Sequence, residues 1–321
     1  MPGSGTRTFL DPDHYEAGLR QVQIERVIAS GGAFKARLTW AELHHLQLLR
    51  CEEDFPRIGY VSLAPRLVFV GFPAHSGRLP VWGGRELQTG DILFHSRGER
   101  LHQSTPGPSI WSVIALDPVQ LGKYGRALAG EPLSAPAEGR VLRPSPRDMA
   151  RLRRLHVQAC RLAETRSKVL THPEVARAIE QALVQVLVTC LTTANVQHDD
   201  SVNQRYAGIM VRFEEVLAEH LPRPLRTPEF CELIGVTDRT LRTCCAKFIG
   251  ISPGRYALLR RLKLVRTALR DAAPDAANVA ELALQHGFTE LGRFAGVYHA
   301  VFGETPSTTL RRGPEPQFLW P

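Results

Sequence analysis

At 321 residues the chain is longer than one ordinary domain, and an apolar share of 43% is enough to fill two cores. No run of about 18 apolar residues occurs, and the opening residues lack the charged head and apolar body of a signal peptide, so the expectation is neither membrane insertion nor export but the cytoplasm. A net charge of +8 suits a polyanionic partner, and its distribution along the chain decides whether one is meant.

Taken in chain order, residues from about Gln21 to Leu116 form short apolar runs cut by Gly and Pro: LVFVGF at Leu67–Phe72, GDILFHS at Gly90–Ser96 and SIWSVIAL at Ser109–Leu116. Runs of this length between turn formers predict the β-strands of a small barrel or jelly roll. Phe69, Phe72, Trp82, Phe94 and Trp111, with His95, would line such a barrel, either as the wall of a pocket for a small, partly apolar effector or as plain core. Arg97, Arg100 and His102 are expected in a loop after the DILF strand, facing an anionic effector or simply solvent.

Nothing in this half spells catalysis. His44 and His45 are adjacent, so on a strand they would face opposite ways and could not chelate together. His95, Glu99 and His102 come nearer to ligand spacing, but no His-x-His pair shares a strand, and no G-x-S-x-G, phosphate loop or dinucleotide fingerprint is present. No catalytic residue, metal ligand or cofactor is therefore assigned. Six cysteines (Cys51, Cys160, Cys190, Cys231, Cys244, Cys245) without a C-x-x-C pair fit reduced, buried thiols.

GEPLSAPAEGRVLRPSP, Gly130–Pro146, reads as a linker, after which the period changes. Met149, Leu152, Leu155, Ala159 and Leu162 fall at helical spacing behind Pro146. Thr171 with Glu174 forms a capping box for a second helix, whose Val175, Ile179, Leu183, Val186, Leu187 and Cys190 make one wide apolar stripe. The two helices either pack inside their own domain or meet a second copy in a homodimer through residues 146–191. TTANVQHDDSVN then reads as an exposed connector.

From Arg205 onward the pattern is helical and contains one unit twice: GVTDRTLRTCCAKFIGISP at Gly235–Pro253 and GFTELGRFAGVYHAVFGETP at Gly287–Pro306. In the first, Thr227 caps a short helix that ends at Gly235, and Thr237 caps a second helix with Leu241, Cys244, Cys245 and Phe248 inward. Helix, glycine turn, helix is the spacing of a helix-turn-helix. Arg239, Thr240, Arg242, Thr243 and Lys247 belong to the other face, where guanidinium forks match guanine edges or phosphates. The second unit turns Phe294, Tyr298 and Phe302 inward and offers Leu291, Gly292 and Arg293 outward, with Thr289 or Glu290 opening the helix. Between the units, Ser252 and Pro253 start a helix to about Arg270, about 28 Å long at ~1.5 Å per residue, against ~34 Å between successive major grooves on one face of DNA. Nine basic residues and no acidic one lie between Asp238 and Asp271, a one-signed density that favours a phosphate footprint.

The run LIGVTDRTLRTCCAKFIGISPGRY followed by VAELALQHGFTELGRFAGVYHAVFGETPS resembles the DNA-binding domain of AraC/XylS-type bacterial transcription regulators, and the amino-terminal part is similar to the cupin-like sensor domains of that family. The resemblance implies an α+β protein with an amino-terminal cupin-like β-barrel or jelly roll, a helical linker, and an all-α carboxy-terminal domain with two helix-turn-helix units joined by a long helix. The divisions expected are a sensor domain over 1–130, a linker and dimerisation or packing segment over 131–204, a DNA-binding domain over 205–312 and a tail over 313–321. It further implies promoter DNA and RNA polymerase as partners, a small-molecule effector, and base contacts from Arg239, Arg242 and Thr243 and from Leu291, Gly292 and Arg293. Leu291 and Gly292 stand where polar readers are common in the family. The alternatives are a cupin-type metalloenzyme with an accessory nucleic-acid-binding domain and a constitutive DNA binder without ligand.

Overall fold

The computed structural model of the chain describes residues 3–19, 22–28, 34–74, 80–197, 201–220, 223–274 and 277–312. The expected tail, 313–321, lies outside the described residues. In chain order the elements are β1 (Gly5–Phe9), α1 (Pro12–Ala17), β2 (Val22–Ile28), β3 (Ala36–Glu42), β4 (Leu46–Glu53), β5 (Arg57–Leu63), β6 (Val68–Pro73), β7 (Val81–Trp82), β8 (Arg85–Glu86), β9 (Ile92–Phe94), β10 (Arg100–Thr105) and β11 (Ser109–Leu116). They continue with α2 (Pro118–Ala129), β12 (Arg140–Arg143), α3 (Pro146–Thr165), a 3-10 turn (Ser167–Thr171), α4 (Pro173–Thr193), β13 (Asn195–Gln197), α5 (Ser201–His220), α6 (Thr227–Ile234), α7 (Asp238–Ile249), α8 (Pro253–Asp271), α9 (Val279–Gln285), α10 (Leu291–Phe302) and α11 (Pro306–Arg312).

The described strands pair antiparallel throughout, in two open sheets ordered β1-β3-β4-β11-β6-β9-β12-β13 and β2-β5-β10-β7-β8. The sheets face each other as a jelly-roll-like sandwich, not a closed barrel: Trp82 of the smaller sheet meets Trp111 of the larger with ring centroids 4.7 Å apart. The other face of the larger sheet is covered by helices, so β6 is buried along its whole length instead of alternating. Its odd positions, Phe69 and Gly71, face the space between the sheets, while Val68, Val70 and Phe72 join Leu152, Cys160, Leu183, Val186 and Leu187 of α3 and α4 in one core.

Three expectations need correction here. The segment read as a linker contains β12, which pairs with β9, and β13 pairs with β12, so residues 140–197 complete the larger sheet and its helical cover. Thr171 caps nothing: its hydroxyl donates to Lys168 O, and α4 begins at Pro173, whose missing N–H suits a first turn. His44 and His45 occupy the turn between β3 and β4 with rings 3.9 Å apart, not a strand. Two helices went unforeseen although their signals are ordinary, Asp11-Pro12 and Asp117-Pro118, in each of which the aspartate accepts from two backbone N–H groups of the first turn. α4 is long and apolar enough to cross a membrane, yet its stripe lies in the core just described. Its one buried carboxylate, Glu180, accepts from the Tyr124 hydroxyl and from the backbone N–H groups of His45 and Leu46.

The carboxy-terminal helices share a second core built on Phe213, Phe230, Leu241, Phe248, Tyr256, Leu262, Phe294 and Tyr298. All six cysteines are buried free thiols, and Cys244 and Cys245 belong to this core.

Candidate nucleic-acid interface

In the first unit α6 begins one residue earlier than expected, with Arg226 before it and Glu229 reaching back to Arg226 N at 2.7 Å, so Thr227 is its first residue and not its cap. Gly235 follows with φ 76°, a left-handed conformation that side chains resist, and the chain reverses there. Thr237 then caps α7, its hydroxyl accepting from Thr240 N at 3.2 Å. Leu241, Cys244, Cys245 and Phe248 turn inward, which leaves Arg239, Arg242 and Thr243 exposed on one face. Arg242 Nε donates to Asp238 Oδ2 at 2.7 Å, and that hydrogen bond pushes the guanidinium further above its usual range. Thr240 and Lys247 are half-buried at the margin: the Thr240 hydroxyl is 2.8 Å from that of Thr237, and Lys247 Nζ sits 5.9 Å from the Tyr206 ring centre.

The second unit repeats this backbone. Gly287 has φ 75°, α10 opens behind Glu290, and Phe294 and Tyr298 are buried while Leu291, Gly292 and Arg293 are exposed in its first turn. Arg293 approaches Glu290 only to 3.9 Å. α8 joins the units as a single helix of 19 residues.

The charge on α8 does not serve as expected. Of the nine basic residues in this stretch, the five on α8 from Arg260 onward are committed elsewhere in the molecule. Lys263 meets Glu16 at 2.5 Å; Arg266 and Arg270 each reach both Asp11 and Asp13 at 2.7–3.0 Å; Arg260 donates to Glu214; and Arg261 lies 4.8 Å from the centre of the Phe288 ring. Burial pulls the Asp11 carboxyl upward, but the Arg270 hydrogen bond and the charges of Arg266 and Arg270 outweigh it and hold the group at about 2. These acids precede their partners by roughly 250 positions, so the sequence map of charge showed the bases without their counter-ions. Arg239, Arg242, Lys247 and Arg255 make up the rest of the basic set.

The two halves meet where the smaller sheet rests on α5, α7 and α8. Glu214 of α5 is buried there and accepts from Tyr256 Oη at 2.5 Å and Arg260 Nη1 at 2.7 Å, and His102 Nε2 lies 2.7 Å from it. Arg100 and His102 are thus on strand β10 and not in a loop; Arg97, in the turn before it, donates to Pro65 O at 2.8 Å. Burial lowers Arg260 to about 10 and pushes the Tyr256 phenol well up. A cavity of about 310 Å³ opens beside this junction, with Arg85, Arg100 and Arg140 on one wall and Asn203, Met210 and Phe248 on the other.

A smaller space of about 50 Å³ lies between the sheets. Phe69, Trp82, His95 and Trp111 line it, together with Arg57 and Gln103. Phe72 and Phe94 do not: strand alternation turns both toward the helical layer, where Phe72 packs edge-on against His156. His95 Nδ1 is 2.9 Å from Glu99 Oε2, and among the described residues no group of His, Cys, Asp and Glu is arranged to hold a metal ion.

A family model described as a helix-turn-helix domain matches residues 230–312. The XylDLEGF operon transcriptional activator of Pseudomonas putida is 36% identical over 101 residues, 32% of this chain and 32% of that protein. The probable thc operon regulatory protein of Rhodococcus erythropolis is 34% identical over 107 residues, covering 33% and 32% of the two chains. Among solved structures, a probable AraC family transcriptional regulator from Rhodopseudomonas palustris has 31% identity, spans 34% of this chain and 98% of its own, and superposes with a TM-score of 0.30. The chain therefore spans about a third of the length of the curated relatives it matches.

Proposed function

We propose that the carboxy-terminal third is a helix-turn-helix domain of the AraC/XylS type and that the whole chain is a transcription regulator that binds promoter DNA sequence-specifically and responds to a small effector. The observation that carries the reading is the pair of exposed recognition faces, Arg239-Arg242-Thr243 and Leu291-Gly292-Arg293, held at opposite ends of one continuous helix. A spacer of about 28 Å suits two recognition helices in successive major grooves ~34 Å apart. In the first, Arg239 and Arg242 read guanine edges and Thr243 contacts a neighbouring base, with Thr240 and Lys247 on the flanking phosphates. In the second, Leu291 meets a thymine methyl and Arg293 a base or phosphate, so this unit mainly fixes register along the duplex.

The sheet sandwich with its helical cover, residues 1–204, is the sensing part, and Trp82, His95 and Trp111 belong to its pocket. The exposed sides of α3 and α4 are the surface through which two copies would pair, and RNA polymerase would be contacted from the DNA-bound state in the cytoplasm. Regulation and not catalysis is the role, because effector binding need only shift the population of a DNA-competent arrangement. Genome-wide footprinting of the full chain tests the reading. Protected segments upstream of genes, sharing a sequence that spans two turns of DNA, are the expected result; protection without a shared sequence would overturn it.

A further inference from the structure

We propose that the space between the two sheets binds a small uncharged molecule that presents hydrogen-bond acceptors, a ketone, ester or lactone, and that the β7–β8 hairpin passes its occupancy to the first recognition helix. The second half of this proposal rests on the DNA-binding reading above.

The chemistry is set by what the wall offers. Arg57 and Gln103 are each 2% exposed and Trp111 4%. Arg57 Nη1, Gln103 Nε2, Trp82 Nε1 and Trp111 Nε1 all lack a protein partner, and all four are donors. Folded proteins pair the large majority of their buried side-chain donors, and here four unpaired ones belong to residues around one cavity. A ligand that fits must bring acceptors. It need not bring charge, because Arg57 Nε is already bonded to the buried Glu53 carboxylate and Arg57 Nη2 donates to Gln103 Oε1 at 2.8 Å. An anion would leave that neutral pair with an unbalanced buried charge. Two indoles 4.7 Å apart and Phe69 supply apolar contact, and about 50 Å³ holds a handful of non-hydrogen atoms or a few waters, at ~10–15 Å³ for each water.

The coupling follows from strand alternation. Gln103 and Trp82 are paired across β10 and β7 and face the cavity, whereas His102, the next residue, faces Glu214 of α5. Beyond Trp82 the chain turns at Gly83 and Gly84, where Gly83 N donates to His102 O at 2.9 Å and Gly83 O accepts from Asn203 Nδ2 at 3.0 Å. Gly84, at φ 78°, lies so close to the last turn of α7 that a Cβ would sit 2.4 Å from the Phe248 ring. A displacement of Trp82 by ligand therefore pushes on the helix that carries Arg239 and Arg242.

The test uses the full chain and three four-carbon probes: γ-butyrolactone, with acceptors and no donors; butanoate, an anion; and butylammonium, with donors and no acceptors. The lactone is expected to raise Tm saturably, the others not, and Trp82→Phe, which keeps a ring and removes one N–H, should weaken the response several-fold. Equal stabilisation by butanoate, or no shift with any probe, overturns the site. On a footprinted duplex the lactone should change affinity at least threefold in the wild type. Gly84→Ala, or Asn203→Ala where the first variant folds poorly, should keep the Tm response and lose the change in affinity; a retained change overturns the route. A protein that binds no duplex refutes the DNA reading and the route with it, while the Tm series still decides the site.

Discussion

The two helix-turn-helix units share a backbone and differ in chemistry. Gly235 and Gly287 turn at φ 76° and 75°, and Gly250 and Gly303 end the recognition helices at 72° and 71°. Yet α7 exposes two arginines and a threonine and rests on the sheet sandwich through Phe248, whereas α10 exposes Leu291, Gly292 and Arg293 and packs on α9 and α11, with Tyr298 bonded to Thr309 at 2.8 Å. The two units thus keep one packing rule and differ in what they expose: the unit whose outer face carries two arginines is also the unit in contact with the sheet sandwich.

The strongest way to break that contrast is at the floor of the junction. Glu214→Ala removes the shared acceptor of Tyr256 and Arg260 and leaves a guanidinium buried without its carboxylate, so chemical denaturation should register a loss of about 3–5 kcal/mol. Next in size, Arg239→Ala should weaken specific DNA binding by about 1–3 kcal/mol in titrations and relax selectivity at particular base pairs; uniform weakening on every duplex would make it a phosphate clamp. The contact between α1 and α8 sharpens the picture further. Because Asp11 is held below its unfolded value, its contribution is complete above about pH 4 and fades as pH falls toward 2, and Asp11→Asn should remove about 1 kcal/mol at neutral pH and that acid sensitivity with it. Smallest of all, Arg293→Ala should cost no more than ~0.5 kcal/mol in DNA binding, since its reach comes from an exposed side chain with no second reader beside it.

Much of this was legible before any coordinates. Thr237, Gly235, Ser252 and Pro253 carry local signals, and the helices they delimit sit where those signals put them. Short-range chemistry is written in neighbouring residues. What was not legible depends on partners far along the chain. Arg266 and Arg270 look like phosphate ligands until Asp11 and Asp13 are brought to them, and Arg140-Val141-Leu142 looks like a linker until β9 offers it a free edge. Phe72 and Phe94 failed as pocket residues for a different reason. A strand covered on both faces is apolar at every position, so no alternation marks which side looks inward. Arg57 and Gln103 escaped notice because a polar residue in a strand of a half-known sandwich reads as surface.

The central claim, that sequence is read chiefly by the first unit while the second sets register, is tested most directly by selecting bound duplexes from a randomised pool with the wild-type chain, Arg239→Ala and Arg293→Ala. The wild type should enrich two blocks of preferred bases about one helical turn apart. Arg239→Ala should erase definition in the stronger block, and Arg293→Ala should leave both blocks in place. Enrichment that survives Arg239→Ala but vanishes with Arg293→Ala would contradict the account.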